Sequence, residues 1–284
     1  MKVVRRRGEL YAERRALRSR GALGFVPTMG NLHAGHLALV DLARAQADRV
    51  AVSIFVNPTQ FGPGEDYAAY PRTFEADLDA LGERGCDLVF APEPQDMYPY
   101  GADAAVTIDV PEVSEGLCAA SRPGHFAGVA TAVTRLFAMV QPDLAVFGEK
   151  DYQQLLVIRR LVADLGFPIS VIGAPIVREP DGLAMSSRNA YLTPEERRKA
   201  PALYAALSWA RDEILAGRTP DAALTDEGMA RLCGAGLAPE YFEVRRAADL
   251  GPVGSEAVEL VILGAVRVGS ARLIDNCRVA SRGA

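Results

Sequence analysis

Cysteine is scarce in this chain and carries no pattern: Cys86, Cys118, Cys233 and Cys277 stand far apart, with no CxxC pair. That spacing argues against a zinc ribbon or a thioredoxin-like redox motif and leaves reduced packing residues. Positive charge is not in excess either, with 31 Lys and Arg against 36 Asp and Glu and a formal net charge of −5. A field of that sign repels nucleic acid and anionic membrane, so any anion site must be local. No apolar run approaches the ~20 residues of a membrane span. The basic opening, Met1 to Arg7, leads into Gly8, Glu9 and a charged helical pattern instead of an apolar segment. No signal peptide is therefore expected, and a cytoplasmic enzyme is. Repeats and low-complexity tracts are missing. So are GxGxxG after a strand and GxxxxGK(S/T), which excludes the dinucleotide fingerprint and the P-loop as the means of holding a nucleotide.

What is present is an ordinary globular core, 49% hydrophobic over 284 residues, enough to bury a full sheet. From Leu23 to about Ile172, short apolar runs alternate with amphipathic stretches, the pattern of a parallel sheet with crossover helices. Strands are expected over Leu23 to Pro27, Val50 to Val56, Leu88 to Phe90, Leu144 to Phe147 and Ile169 to Ile172. Helices are expected over Gly35 to Ala47, Thr73 to Arg84, Ala127 to Val140 and Tyr152 to Leu165. The fold class is α/β: a doubly wound, Rossmann-like domain over 1–175 and a smaller C-terminal α+β domain over 176–284. The boundary is drawn at the Pro- and Gly-interrupted connector from Gly173 to Gly182. Beyond it come a helix opened by Thr193 and Pro194, a second after Pro220, and strands over Tyr241 to Arg245, Ala257 to Val268 and Ala271 to Ile274.

Three polar, Gly-bearing segments begin where apolar strands stop: Thr28 to His36, Asn57 to Gly64 and Gly148 to Asp151. In an open parallel sheet the carboxyl ends of the strands share one edge, so these loops converge on one crevice. In the first, Gly30 permits a tight turn and Gly35 lets phosphate approach backbone N–H groups at a helix start, where the dipole also favours an anion. His33 and His36 then stand beside a phosphate site. The helix N-terminus disfavours the imidazolium, so a neutral ring donating one N–H to phosphate oxygen is expected. A zinc site using both, with His125 as third ligand, is the alternative. Such an HxGH element occurs in nucleotidyltransferases and class I aminoacyl-tRNA synthetases.

Met185-Ser186-Ser187-Arg188-Asn189 offers hydroxyls and a guanidinium for phosphate and Met185 for an adenine face, or else a turn before the Thr193 helix. Lys150 supplies a compact cation, and Asp151 orders it or binds ribose. Arg122 and His125 form a further cationic loop, or a plain capping loop. Asn57, Gln60 and Gln154 bring uncharged amides suited to a small polar acid.

These stretches together resemble the pantoate–β-alanine ligase (pantothenate synthetase) family. The matching segments are PTMGNLHAGH from Pro27, NPTQF from Asn57, SRPGHFAGV from Ser121, FGEKDYQQ from Phe147, MSSRN from Met185 and RLIDN from Arg272. They keep the family's order and spacing over nearly the whole chain. The resemblance implies ATP as co-substrate with Mg²⁺, pantoate and β-alanine as substrates, a pantoyl-adenylate intermediate, and a homodimer. No protein ligand for Mg²⁺ and no other metal site is named, and net charge and hydropathy already argue against a nucleic-acid or membrane partner. The resemblance places Met29, Gly30, Asn31, Leu32, His33, Ala34, Gly35 and His36 on ATP, with His36 as proton donor. It further assigns Lys150, Ser186, Ser187 and Arg188 to charge at the α-phosphate and pyrophosphate, and Gly148, Glu149, Asp151, Val177 and Met185 to the nucleotide. Gln60 and Gln154 are assigned to pantoate, with Asn57, Tyr70 and Arg122 at its edge, and the small domain to a lid. Asn31, Ala34, Ser121, Arg245, Arg246 and the Ser270-Ala271 pair depart from the family's usual residues, which bears on local packing and amine selectivity more than on reaction class.

Overall fold

Strands buried on both faces read as unbroken apolar runs, and the centre of this chain's main sheet has that character. The structure is a computed structural model and describes residues 1–254 and 259–279. In order come β1 (Lys2–Val4), α1 (Arg7–Arg18), β2 (Leu23–Thr28), α2 (Ala34–Gln46), β3 (Arg49–Ile54), α3 (Phe74–Glu83) and β4 (Leu88–Phe90). The chain continues through α4 (Pro94–Met97), α5 (Cys118–Ser121), α6 (His125–Val140), β5 (Leu144–Gly148), α7 (Tyr152–Asp164) and β6 (Ser170–Ala174). These six strands form one sheet in the order β1-β4-β3-β2-β5-β6, and every pairing in it is parallel.

The order reverses at β2, which pairs with β3 through Thr28↔Ile54 on one side and with β5 through Phe25↔Ala145 on the other. The carboxyl ends of β2, β3 and β5 therefore lie side by side, at the kind of switch point where open α/β sheets bind ligands. Val26, Val50, Val52, Val89 and Val146 form the core there with Val40 and Ala43 of α2. β1 is not expected from sequence. Three residues show no periodicity, and the Arg5–Arg7 run follows them at once, yet Lys2–Val4 pairs with β4 at the sheet edge.

The chain divides into two compact units, Met1–Glu149 with Gln153–Pro175, and Lys150–Tyr152 with Ile176–Ala284. The second contains α8 (Pro194–Lys199), α9 (Ala202–Leu215), α10 (Ala222–Gly234), β7 (Ala238–Arg246), β8 (Leu260–Val268) and β9 (Ala271–Val279). Thr193 opens α8 with a capping box: its hydroxyl accepts the Glu196 amide at 3.3 Å and Glu196 accepts the Thr193 amide at 2.8 Å. Pro201 then separates α8 from α9, where the sequence pattern reads as one helix. β7, β8 and β9 form an antiparallel sheet in that order. Leu203 and Leu207 of α9 and Leu224 and Leu232 of α10 pack on its Phe242, Ile262 and Val266. The start expected for β8 at Ala257 lies outside the described residues; the described strand begins at Leu260.

Candidate active site

After β2 the backbone turns left-handed at two successive residues, Gly30 (φ 82) and Asn31 (φ 51). A β-carbon on Gly30 would press on Asp77 and Ile54, each 3.0 Å away, so tight space adds to the preference for glycine that φ sets. The turn is pinned from α3. Asp77, buried, accepts the amide of Asn31 at 2.9 Å and that of Leu32 at 2.8 Å, and takes the Thr73 hydroxyl at 3.0 Å. Sequence reasoning missed Asp77, because an acidic residue in the first turn of a helix reads as ordinary dipole compensation.

His33 is the N-cap of α2 and His36 its third residue, so the two imidazoles form a capping box normally built from Ser or Thr and Glu. His33 Nδ1 accepts the Gly35 amide at 3.1 Å, and His36 Nδ1 accepts the His33 amide at 3.4 Å. A proton on either Nδ1 would face an N–H donor, so the cap selects the neutral tautomer carrying its hydrogen on Nε2. The rings lie 4.1 Å apart between centroids. Two imidazole N–H groups thus belong to the start of a helix, where an anion is favoured.

After β3, Asn57 caps a short 3₁₀ turn, Pro58–Gln60. Asn57 is buried and fully engaged: Oδ1 accepts the Tyr98 hydroxyl at 2.7 Å and the Thr59 hydroxyl at 2.9 Å, while Nδ2 donates to Gln60 Oε1 at 3.0 Å and to the Gly128 carbonyl at 3.1 Å. Burial pushes the Tyr98 phenol up, which keeps it a donor. Gln60 Nε2 meets the thioether of Met29 at 3.0 Å, a weak acceptor that a ligand oxygen would outcompete. Gly128 of α6 is required here, since a β-carbon on it would overlap the Thr59 carbonyl and the Gln60 amide.

The backbone of Gln60 is held from the other side. Arg122 donates Nε and Nη2 to the two carboxylate oxygens of Glu65 at 2.8 and 2.7 Å, and Nη1 lies 2.9 Å from His125 Nε2. A guanidinium can only donate, so His125 Nε2 accepts, and its Nδ1–H points to the Gln60 carbonyl at 2.8 Å. Burial works to raise the Glu65 carboxyl, but the Arg122 hydrogen bonds and charge, with the Gly62 amide, outweigh it and hold it below its ordinary value. Both nitrogens of His125 are committed, and no cluster of three or more His, Cys, Asp or Glu placed to hold a metal exists among the described residues. Tyr70 is buried with its ring against Phe61 at 6.0 Å.

On α7 two neighbouring glutamines differ. Gln153 is buried and its Oε1 takes the Cys118 amide at 3.1 Å while its Nε2 donates to carbonyls of Val113 and Glu115 at 3.2 and 3.0 Å. Gln154 is half-buried and its side chain makes no hydrogen bond among the described residues, which leaves its amide available. Gly148 ends β5, and Glu149 begins the 3₁₀ turn Glu149–Asp151 that follows.

The remaining sequence-derived residues belong to the second unit. Val177 and Met185 face each other in a narrow hairpin, the Met185 amide donating to the Val177 carbonyl at 3.0 Å. Ser186 caps the 3₁₀ turn Ser187–Tyr191, its hydroxyl accepting the Arg188 amide at 3.3 Å. Lys150, Ser186, Asn189, Tyr204 and Asp275 line one small cavity. Lys150 and Asp151 lie in this unit, not in the one that supplies β5.

A six-stranded parallel sheet whose switch-point strand runs into a histidine-capped helix is a Rossmann-like nucleotide-binding domain. Residues 2–278 match the family model described as pantoate-beta-alanine ligase, and the chain belongs to that family and is an enzyme, a ligase. It is 56% identical over 273 residues to the pantothenate synthetase of Chromohalobacter salexigens, covering 96% of this chain and 95% of that one. Its fold is similar to crystal structures of two further proteins. One is the pantothenate synthetase of Thermus thermophilus, with TM-score 0.91, 49% identity, and 98% and 99% of the two chains covered. The other is the pantoate-beta-alanine ligase of Francisella tularensis complexed with beta-gamma ATP and beta-alanine, with TM-score 0.83, 33% identity, and 98% and 97% covered. Among the described residues no helix is long and apolar enough to cross a membrane.

Proposed function

We propose that this chain joins pantoate to β-alanine with ATP, through a pantoyl-adenylate intermediate, as a cytoplasmic homodimer. A pantoate carboxylate oxygen attacks the α-phosphorus of ATP, the bond to the β-phosphate oxygen breaks, and pyrophosphate leaves. The β-alanine amine then attacks the acyl carbon, AMP departs with the carboxylate oxygen, and the amine loses a proton to solvent. A free carboxylate resists amines because oxide is a poor leaving group; adenylation replaces it with a good one.

The observation that carries this reading is the pairing of a helix start bearing two imidazole N–H donors with the uncharged Gln60 amide, which touches Met29 of the same loop. In this reading Met29 to His36 cradle the phosphates, and His36 donates its Nε2–H as negative charge builds on them. Gln60 and Gln154 hold pantoate with Asn57, Tyr70 and Arg122 at its edge, while Asn57, Arg122 and His125 also hold the turn that presents Gln60. Lys150, Ser186, Ser187 and Arg188 offset charge on the α-phosphate and leaving pyrophosphate. Gly148, Glu149, Asp151, Val177 and Met185 frame the nucleoside. Mg²⁺ would enter as the counter-ion of ATP and would offset phosphate charge beside Lys150 and Arg188.

The test is an AMP-release assay with pantoate and β-alanine, beside pyrophosphate release with pantoate alone. His36→Ala is expected to lower the adenylation rate roughly 100- to 1000-fold, the range for losing one preorganised donor at developing charge. Unimpaired turnover in that variant rejects the assignment. Adenylation of a phosphorylated alcohol in place of pantoate would make the chain a nucleotidyltransferase instead.

A further inference from the structure

The RLIDN segment, Arg272 to Asn276, has no part in the catalytic scheme, yet its end holds a buried charge cluster. Asp275 is 4% exposed and Asn276 3%. The carboxylate of Asp275 is gripped by Arg178, with Nη1 at 2.6 Å from Oδ2 and Nη2 at 3.0 Å from Oδ1, and it also accepts the amide of Asn276 at 2.8 Å. Arg178 donates onward to the carbonyls of Gly182 at 3.0 Å and Asn276 at 3.2 Å, and its guanidinium lies 3.6 Å from the centroid of the Tyr204 ring. Burial pushes the Asp275 carboxyl up, against the pull of Arg178 and Lys150. A buried ion pair of this kind is no better for stability than apolar packing of the same volume, so its presence calls for another reason.

Lys150 supplies one. The Asn276 side-chain amide donates to the Lys150 carbonyl at 3.0 Å, and Asp275 lines the same cavity as Lys150 and Ser186. Two residues on, the Tyr152 hydroxyl donates to the Ala247 carbonyl at 2.8 Å. The segment Lys150–Tyr152 is thus tied at both of its ends to the second unit, to which it belongs although it starts two residues past β5.

We propose that Arg178, Asp275 and Asn276 are positioning residues that seat Lys150 on the second unit, so that Lys150 acts in one rigid set with Ser186 and Arg188. Arg178 locks the Asp275 carboxylate, the locked strand end orients the Asn276 amide, and Asn276 fixes the Lys150 backbone. The inference rests on the phosphate-neutralising role given to Lys150 above.

Pantoate-dependent exchange of labelled pyrophosphate into ATP tests it in a double-mutant cycle. Misplacing a catalytic group by about 1 Å costs on the order of 100-fold, so Asn276→Ala should slow exchange ~10- to 100-fold with the KM for ATP nearly unchanged. In a Lys150→Ala background the same substitution should change the rate less than about twofold, because residues acting as a unit are non-additive. Losses that multiply, or a loss confined to KM, overturn the proposal. Should Asn276→Ala fail to fold, Tyr152→Phe removes only the second tether's hydroxyl and carries the same cycle. Amide hydrogen exchange provides a readout independent of activity: residues 150–152 should exchange faster in Asn276→Ala while residues 33–36 do not. Unchanged exchange at 150–152 overturns the seating. Faster exchange there in a protein whose wild type shows no pantoate-dependent reaction supports the seating and refutes the substrate assignment instead.

Discussion

Asp77→Asn changes one atom's chemistry in a buried carboxylate, and the structure sets what should follow. Asp77 Oδ2 accepts the Asn31 amide, and Oδ1 accepts the Leu32 amide and the Thr73 hydroxyl. An asparagine keeps one oxygen. If it stays on the Leu32 side, the new NH₂ faces the Asn31 N–H, and one charge-assisted bond becomes a donor–donor contact. Hydrogen bonds to charged groups contribute about 1.5–3 kcal/mol, so the loop should lose roughly that much. It has little to spare, because Asn31 already sits at φ 51, a region that costs an L-residue about 1–2 kcal/mol. Freed from Asp77, the Gly30–Leu32 turn should relax, and the ordered form that presents His33 and His36 becomes a fraction of the population. Apparent affinity falls by that fraction. With about 1.4 kcal/mol per factor of ten, the KM for ATP should rise ~10- to 100-fold while the KM for pantoate holds. Initial rates with each substrate varied in turn measure both. An Asp77→Asn enzyme whose KM for ATP stays within about twofold of wild type would refute the claim that this carboxylate organises the phosphate loop.

How far the sequence disclosed this arrangement depended on whether a signal was local. The central strands were legible because each is an apolar run ended by a polar, glycine-bearing loop; β4 falls on the expected residues, Leu88–Phe90. The histidine loop was legible because Gly30, His33, Gly35 and His36 are adjacent, and their tautomers follow from one helix start. Partners distant along the chain were not legible. Glu65 and Arg122 stand 57 residues apart, and nothing in either segment says that the guanidinium serves the Gln60 turn through His125. Gly128 lies inside the SRPGHFAGV segment, but its necessity comes from a backbone 69 residues away. Lys150 shows the limit most plainly. It stands two residues past β5, so sequence position assigns it to the sheet, whereas the Asn276 bond to its carbonyl, with the Tyr152 bond to Ala247, ties its segment to the other unit. Short-range patterning specifies elements and their ends; side-chain bonds across 95 to 126 residues decide which body a loop belongs to.

The remaining expectations concern the Gln60 turn. Gln60→Ala should raise the KM for pantoate and leave that for ATP unchanged, as initial-rate kinetics would show. Gly128→Ala should do the same more severely, because the new β-carbon meets the Thr59 and Gln60 backbone and no flexible side chain is there to yield. Overpacking of this kind costs about 1–3 kcal/mol, so a fall in thermal midpoint should accompany the loss. Acid should release the same turn, and the sign follows from Glu65. Its carboxyl is held below the ordinary 4.5 because Arg122 and the Gly62 amide outweigh the upward pull of burial. A depressed acid stabilises the folded state above its unfolded value and loses that contribution as pH falls through the folded one. The pair is partly solvated, with side chains 15% and 24% exposed, so about 1 kcal/mol is a fair allowance after screening. Glu65→Gln should then melt about 2–4 °C below wild type at neutral pH, and the gap should close below pH 4.5. A gap that persists undiminished at lower pH would mean that Glu65 acts through its shape, not its charge, and that Arg122 does not depend on it.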